Sequence, residues 1–214
     1  MFKNFYSLPW LMKFFILLPL VIIGFFVFTK VIDLPFGYFL ILFIVPILNF
    51  GIIPMSRILG LSTYLSPMVL TFGKDVKDYQ IHNVMSFDYL INFKWSERGK
   101  TAQKKILAYY FEALLHIIHK IETNELPKSV KVVGNSYFFN ARTAEKLGFT
   151  ISKANVYRIL NSIFGCIELI LLYSFSQGKL SVPKFWKLRK VSISGEKLVL
   201  KKDLIQQYFD SLSN

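Results

Sequence analysis

The sequence predicts an α/β or α+β protein in which an N-terminal two-helix transmembrane hairpin (1–56) precedes an interfacial connector (57–83) and a basic cytosolic domain (84–214) with a mixed sheet. The runs 14–28 and 34–55 carry no charged side chain, which predicts the hairpin. After residue 83 the chain alternates between strand-like and helix-like patterns. Such alternation is typical of α/β and α+β folds.

Two long apolar helices are predicted at the N-terminus. With its apolar flanks the first run reaches the roughly 20 residues that a helix needs to cross hydrocarbon. The second run has Asn49 as its one strongly polar interior side chain. Pro46 and Pro54 each remove an internal hydrogen bond, so we expect a kink, or an end near Pro54. A buried soluble helix pair and a cleaved signal peptide are the alternatives, and the second run argues against the signal peptide.

Basic residues flank the hairpin more heavily than they occupy its turn. Two lysines precede the first helix and three basic residues follow the second, whereas the turn holds Lys30 alone. The positive-inside rule therefore places both termini in the cytoplasm. The sequence predicts an integral membrane protein with two spans.

Composition points to anionic lipid as a partner. The net charge is +13, most of it after the hairpin, and 53% of the residues are hydrophobic. Beside a membrane, each Lys or Arg adds about 1 kcal/mol of attraction to anionic headgroups. Nucleic acid is a less favoured polyanion, because the aromatic residues fall in apolar strands rather than among the basic residues. The single Cys166 excludes an intrachain disulfide, and no metal site is expected at His116 and His119.

The domain is predicted to begin after an apolar connector that is broken by glycine and proline. Residues 84–95 alternate loosely between apolar and polar side chains, which predicts a strand. Apolar residues at three and four spacing then predict a long amphipathic helix over 102–122. The next predicted elements are a strand over 129–139 with Gly134 as a bulge, a short helix over 141–147 with Asn140 as N-cap and Gly148 as C′ residue, and a strand over 149–151.

The segment 155–175 is expected to stay on the cytoplasmic side, as a core helix or a helix in the interface, because crossing would place the basic tail outside. Glu168 lies in its apolar part. It marks a function or a buried ion pair with Arg158 or a tail lysine, unless the helix is amphipathic and Glu168 faces water. The C-terminal pattern predicts a strand pair, 184–193 and 197–200, that turns at 194–196, and a closing helix over 202–212.

A basic turn, Glu97-Arg98-Gly99-Lys100-Thr101-Ala102, precedes the long helix. Backbone N–H groups at a helix N-terminus bind anions such as phosphate, and Arg98 and Lys100 add positive charge. The spacing lacks the second Gly-Lys-Ser/Thr of a nucleotide P-loop, so an NTPase is not predicted. A plain surface turn is the alternative interpretation.

This order of elements, with the turn and the run Asn140-Ala141-Arg142-Thr143-Ala144-Glu145-Lys146-Leu147-Gly148-Phe149, resembles the acyl-CoA-binding half of the GNAT N-acetyltransferases over residues 84–151. Many members of that family carry a Tyr, the acid for the departing thiolate, where this chain has Ala144. Tyr137 can replace this acid only if the backbone places its side chain at the same position. The resemblance implies that Asn140 faces the pantetheine arm of acyl-CoA and that its pyrophosphate is held by Arg98, Gly99, Lys100, Thr101 and Ala102.

Two functional hypotheses follow. The first is a membrane-anchored protein with a GNAT-like domain that transfers an acyl group from acyl-CoA to a membrane-proximal acceptor. The second is a non-enzymatic scaffold or effector whose basic face binds anionic lipid or a protein partner, with a hairpin that forms homo-oligomers through Gly24, Gly51 and Asn49. No pair of acids is spaced convincingly for acid–base catalysis, and the candidates for a base are Asp88, Glu97, Glu112, Glu145 and Glu168.

Overall fold

The computed structural model describes residues 7–72, 78–83, 86–136, 141–153, 166–184 and 188–213. It confirms a mixed α/β protein with a mixed sheet. The helices are α1 (Trp10–Ile32), α2 (Gly37–Ile58), α3 (Ser86–Asn92), α4 (Lys100–Glu122), α5 (Ala141–Lys146), α6 (Cys166–Gln177), α7 (Gly195–Leu200) and α8 (Lys202–Ser213). The strands are β1 (Ser62–Ser66), β2 (Val69–Phe72), β3 (Asp78–Asn83), β4 (Lys131–Ser136), β5 (Thr150–Lys153) and β6 (Arg189–Ser194).

The six described strands form one sheet in the order β1-β2-β3-β4-β6-β5. The pair β3 and β4 is parallel, and the other neighbouring pairs are antiparallel. Parallel neighbours need a crossover connection. Here the crossover runs through α3, a 3-10 turn over Trp95–Glu97, and α4.

Helix α4 is the centre of the core. It was predicted over 102–122, and its existence and apolar face are confirmed. Ile106, Ile117 and Ile118 are almost completely buried. Burying an aliphatic side chain of this size contributes about 1.5 to 3 kcal/mol each. Helix α8, predicted over 202–212 and also confirmed, packs along α4, with the rings of Phe111 and Tyr208 stacked at 5.3 Å.

Helix α1 is long and apolar enough to cross a membrane, and it is the one described helix that meets both criteria. Of its 23 residues, Leu17 and Gly24 are buried. Helix α2 lies beside it: the position of a Cβ on Gly24 falls 2.6 Å from the Leu48 side chain, and that on Gly51 falls 3.1 Å from Val21. Helix α2 continues past Pro54 to Ile58, so it does not end at that proline.

The prediction of an interfacial connector over 57–83 is wrong, because this interval contributes β1, β2 and β3 to the sheet. Leu65, Val69 and Leu70 are buried in the core, and β1 and β2 pack against α4. An apolar stretch interrupted by glycine and proline suits either an interfacial segment or a short hairpin. The distant helix α4, which covers these strands, decides between the two.

The strand predicted over 84–95 is also wrong, because residues 86–92 form α3. The rings of Tyr89 and Phe93 stack at 5.3 Å and 25°. Residues four apart are neighbours on a helix, whereas they would be two pleats apart on a strand. The same aromatic residues that alternate loosely along the chain, such as Tyr89 and Phe93, are therefore also spaced as neighbours on one face of a helix.

Two further details differ from expectation. Residues 197–200 belong to α7 rather than to a strand, because β6 is already paired with β4 on one side and β5 on the other. Gly134 pairs regularly with Val191 and forms no bulge. A Cβ there would lie 2.9 Å from Cγ1 of Ile81, so close packing is the reason for a glycine.

The short helix and the following strand are confirmed. Helix α5 ends before Gly148, whose φ of 81° is the left-handed conformation expected of a C′ glycine. Strand β5 follows at Thr150–Lys153. The proposed N-cap Asn140, the end of the predicted strand at 137–139 and the interval 154–165 lie outside the described residues.

The start of α7 provides a test of the revised C-terminal fold. The Ser194 hydroxyl accepts from the Lys197 amide at 3.4 Å, which is N-cap geometry. We expect Ser194→Ala to lower the free energy of unfolding by about 1 kcal/mol, and Ser194→Asp to retain it, because Asp is an equally good N-cap. Thermal unfolding in detergent measures the stability of both variants relative to the unmodified protein. Equal destabilisation by Ala and Asp would contradict a helix N-terminus at this position.

Candidate functional site

The predicted cofactor turn lies at the start of α4, and its residues do not share one environment. Arg98, Lys100 and Thr101 are exposed, whereas Ala102 is completely buried in the core. The Arg98 guanidinium carbon lies 5.9 Å from the centre of the Trp95 ring. Two cations and one hydroxyl of the turn therefore face solvent, and Ala102 attaches the turn to the domain.

Gly99 forms the N-cap of α4 with φ 84° and ψ −137°, a conformation that essentially only glycine adopts. Its amide donates to the carbonyl of Phe175 at 2.9 Å. Beside it, the Gln103 side chain donates to the carbonyl of Ser176 at 2.9 Å. The negative C-terminal end of α6 thus lies on the positive N-terminal end of α4, an attractive arrangement of helix dipoles.

One of the amides of the predicted anion site is therefore already used by the protein. The amides of Lys100, Thr101 and Ala102 belong to the first turn of α4. The N–H groups of a first turn have no acceptor within their own helix. No acidic side chain lies in that turn. The arrangement can still present the amides of Lys100 and Thr101 and two cationic side chains to an anion, whereas Ala102 is buried.

An aromatic cluster joins α6 to the same turn. The Phe175 ring lies 6.0 Å from Tyr89, 5.7 Å from Phe93 and 5.9 Å from Trp95. Burial raises the pKa of the Tyr89 hydroxyl far above its usual range, so this group can act only as a neutral phenol. Sequence reasoning missed the cluster, because Phe175 is distant in the chain from the other three residues.

Two of the candidate acids lie on or beside α4. The Glu97 carboxylate accepts from the backbone amide of Lys94 at 2.6 Å and from Lys105 at 3.3 Å, and these contacts hold its pKa below the usual range. Partial burial raises the pKa of Glu112, and the nearby His116 opposes that shift. Glu97 is therefore a structural ion-pair partner, and Glu112 is the more basic carboxylate. Glu145, a third candidate, is exposed on α5.

The two other acids are buried. Asp88 is completely buried in α3 and accepts from the Tyr64 hydroxyl at 2.9 Å, while Arg57 lies 4.2 Å over the Tyr64 ring. Glu168 is 2% exposed and accepts from the Asn49 side chain of α2 at 3.2 Å. The alternative in which Glu168 faces water is wrong. Each member of the second pair is a polar side chain in an apolar run, which is the signal that could have paired them.

The remaining predicted site residues are only partly placed. Asn140 lies outside the described residues, as do Arg158 and Tyr137. Ala144 is buried in the core, so the position where the GNAT family often carries its acid points into the domain here. Within the described part of the chain, no group of three His, Cys, Asp or Glu side chains could hold a metal ion.

Comparison of the chain with protein-family models, with curated proteins and with solved structures finds no match. The protein is therefore classified by its fold. It is a mixed α/β protein with one N-terminal helix that is long and apolar enough to span a membrane.

The contact between α6 and α4 predicts an unusual sensitivity at one glycine. Gly178 and Gly60 both have φ of 70°, so Ala is strained equally at either position. At Gly178 a Cβ would also lie 3.1 Å from Cα of Gly99, whereas nothing lies within 4 Å at Gly60. We expect Gly178→Ala to lower the melting temperature in detergent clearly more than Gly60→Ala, because backbone cannot move aside. Equal effects would show that the two turns do not pack together.

Proposed function

We propose that this chain is a membrane-anchored acyltransferase, with a GNAT-like domain that binds acyl-CoA at the first turn of α4. The observation that carries the proposal is the crossover from β3 through α4 to β4, the one parallel pair among the described strands. In open α/β sheets, ligands bind outside the carboxyl ends of parallel strands. Helix α4 leads the chain back from the carboxyl end of β3 towards the start of β4. Its basic N-terminal turn therefore lies near the carboxyl ends of these two strands.

The elements after the crossover support the same proposal. Strand β4 is followed by the short helix α5, its C′ residue Gly148, and strands β5 and β6. This is the order in which the resemblance places the pantetheine-facing segment. The pyrophosphate would be bound by the amides of the exposed residues Lys100 and Thr101, with Arg98 and Lys100 supplying charge-assisted hydrogen bonds.

The anchor is proposed to consist of both N-terminal helices, with both termini in the cytoplasm. Helix α2 has 22 residues and lies beside α1, so the two helices occupy the same depth. A helix of that length extends about 33 Å, enough for the hydrocarbon core. Anchoring would hold the acyl-CoA-binding turn near a membrane-bound acceptor and raise the frequency of productive encounters.

The reaction needs a nucleophile from the acceptor. Its amine or hydroxyl would attack the thioester carbonyl, the new amide or ester bond would form as the carbon–sulfur bond breaks, and coenzyme A would leave as a thiol after taking up the proton that the nucleophile loses. The acceptor is proposed to lie in or at the bilayer, because that is where the anchor holds the domain.

The non-enzymatic scaffold receives less support from the helix contacts. Gly24 and Gly51, which were expected to join two copies, instead pack against Leu48 and Val21 of the same chain. Asn49 bonds Glu168 of the same chain. These three residues therefore no longer argue for self-association.

The proposal is tested by calorimetric titration of acetyl-CoA and coenzyme A into the full-length protein in detergent. We expect binding that Arg98→Ala/Lys100→Ala weakens by roughly tenfold or more, since each lost charge-assisted hydrogen bond contributes about 1.5 to 3 kcal/mol. The matched control is Lys128→Ala/Lys131→Ala, which removes two exposed charges beyond the other end of α4. We expect it to bind like the unmodified protein.

Two results would overturn the acyl-CoA proposal. One is the absence of binding to either ligand in the unmodified, folded protein. The other is equal weakening by both double variants, because that would reflect general attraction between a basic protein and a polyanion. Either result would leave the scaffold as the better account.

A further inference from the structure

Exposed apolar side chains are present on the domain as well as on α1 and α2. We name five of them, each more than half exposed, the collar: Leu90, Trp95, Leu171, Leu180 and Val182. Isolated exposed apolar residues are common on proteins, whereas a contiguous group marks an interaction surface. The question is therefore whether the collar residues lie together.

Helix α6 and the segment after it lie next to the other elements that carry collar residues. Phe175 lies one turn after Leu171, and its ring is 5.9 Å from Trp95 and 6.0 Å from Tyr89, the neighbour of Leu90. The Ser174 hydroxyl accepts from the Ser181 amide at 2.9 Å and donates to the Ser181 carbonyl at 3.1 Å. These bonds fold the segment with Leu180 and Val182 back onto α6.

The collar adjoins the apolar helices. Ile91, next to Leu90, packs in one cluster with Leu17 of α1. Helix α6 contacts α2, where Glu168 bonds Asn49. Helices α3 and α6, which carry Leu90 and Leu171, therefore both pack directly against the N-terminal helices.

The position of Asn49 gives the depth of α6. It lies nine residues before Ile58, the end of α2, which corresponds to about 13 Å along the helix axis. Glu168 is thus near the middle of α2, and Phe175 lies about 10 Å further along α6, at the start of α4. With 12 residues α6 is too short to span a bilayer, but it matches the depth of one leaflet.

Cationic side chains adjoin the collar residues along the chain, and the Arg98 guanidinium carbon lies 5.9 Å from the centre of the Trp95 ring. Lys94, Arg98, Lys179 and Lys184 are all exposed. Glu97 lies among them, but its carboxylate is paired with Lys105. Apolar side chains bordered by Trp, Lys and Arg are the arrangement found at membrane interfaces, with the cations at the level of the lipid phosphates.

We propose that the collar is a second membrane-contact surface, through which α3 and α6 enter the cytoplasmic leaflet beside the anchor. This inference rests on the proposed two-helix anchor but not on acyl-CoA binding. It deepens the proposed function in one respect. The first turn of α4 would lie at the level of the lipid headgroups, where it could reach an acceptor that is carried on a lipid.

Quenching of tryptophan fluorescence by lipids with brominated acyl chains tests the collar in full-length protein reconstituted into anionic bilayers. Trp10→Phe/Trp186→Phe leaves Trp95 as the one fluorophore. The matched control carries Leu200→Trp with all three native tryptophans changed to Phe, because Leu200 is 79% exposed on α7, away from the collar. A third variant, Trp95→Phe/Trp186→Phe, reports the anchor through Trp10.

We expect brominated lipid to quench the fluorescence of Trp95, as for an indole in the interface, and to leave the Leu200→Trp control unchanged. Unquenched Trp95 with quenched Trp10 would overturn the collar while the anchor stands. If Trp95 were instead shielded from both brominated lipid and aqueous iodide, a protein partner or a second copy would cover the surface. Unquenched Trp10 and Trp95 would overturn the anchor and the collar together, independently of the titration with coenzyme A.

Discussion

Helix α6 is attached at both ends, and these attachments fix the domain on its N-terminal helices. At the first turn, Glu168 accepts a hydrogen bond from Asn49 of α2, and at the last turn Phe175 accepts from the amide of Gly99. The second attachment permits little variation, because the backbones of Gly99 and Gly178 are in direct contact. The central helix α4 and the basic turn are therefore positioned relative to α2 through this short helix, together with the contacts that α3 and β1 make with α2.

The Asn49 and Glu168 pair joins two helices that are otherwise apolar at this level. Between helices at membrane depth, polar side chains fix which surfaces meet. We infer that this pair sets the register of α6 along α2, which in turn brings Phe175 to the height of Gly99.

The sequence allowed the long helices to be predicted because their apolar pattern repeats over several turns, as at Ile106, Ile117 and Ile118. Short elements were not predictable in this way. The spacing of Tyr89 and Phe93 fits a strand and a helix alike, and β1 needs α4 as its cover, a contact seen where His116 approaches the carbonyl of Leu65 at 3.1 Å. The basic turn was located from local chemistry, whereas the use of its Gly99 amide by Phe175 depends on residues far apart in the chain.

In the proposed function, the first turn of α4 would both adjoin α6 and bind an anion. Helix α6 occupies the Gly99 amide, which precedes the turn, while the amides of Lys100, Thr101 and Ala102 begin the helix itself. An anion bound there would add negative charge to a helix end that already faces the carbonyl end of α6, and Arg98 and Lys100 are the groups that offset this repulsion. Loosening α6 would therefore change both the shape and the charge of the turn, so the proposed ligand binding would depend on the contact between Gly99 and Phe175.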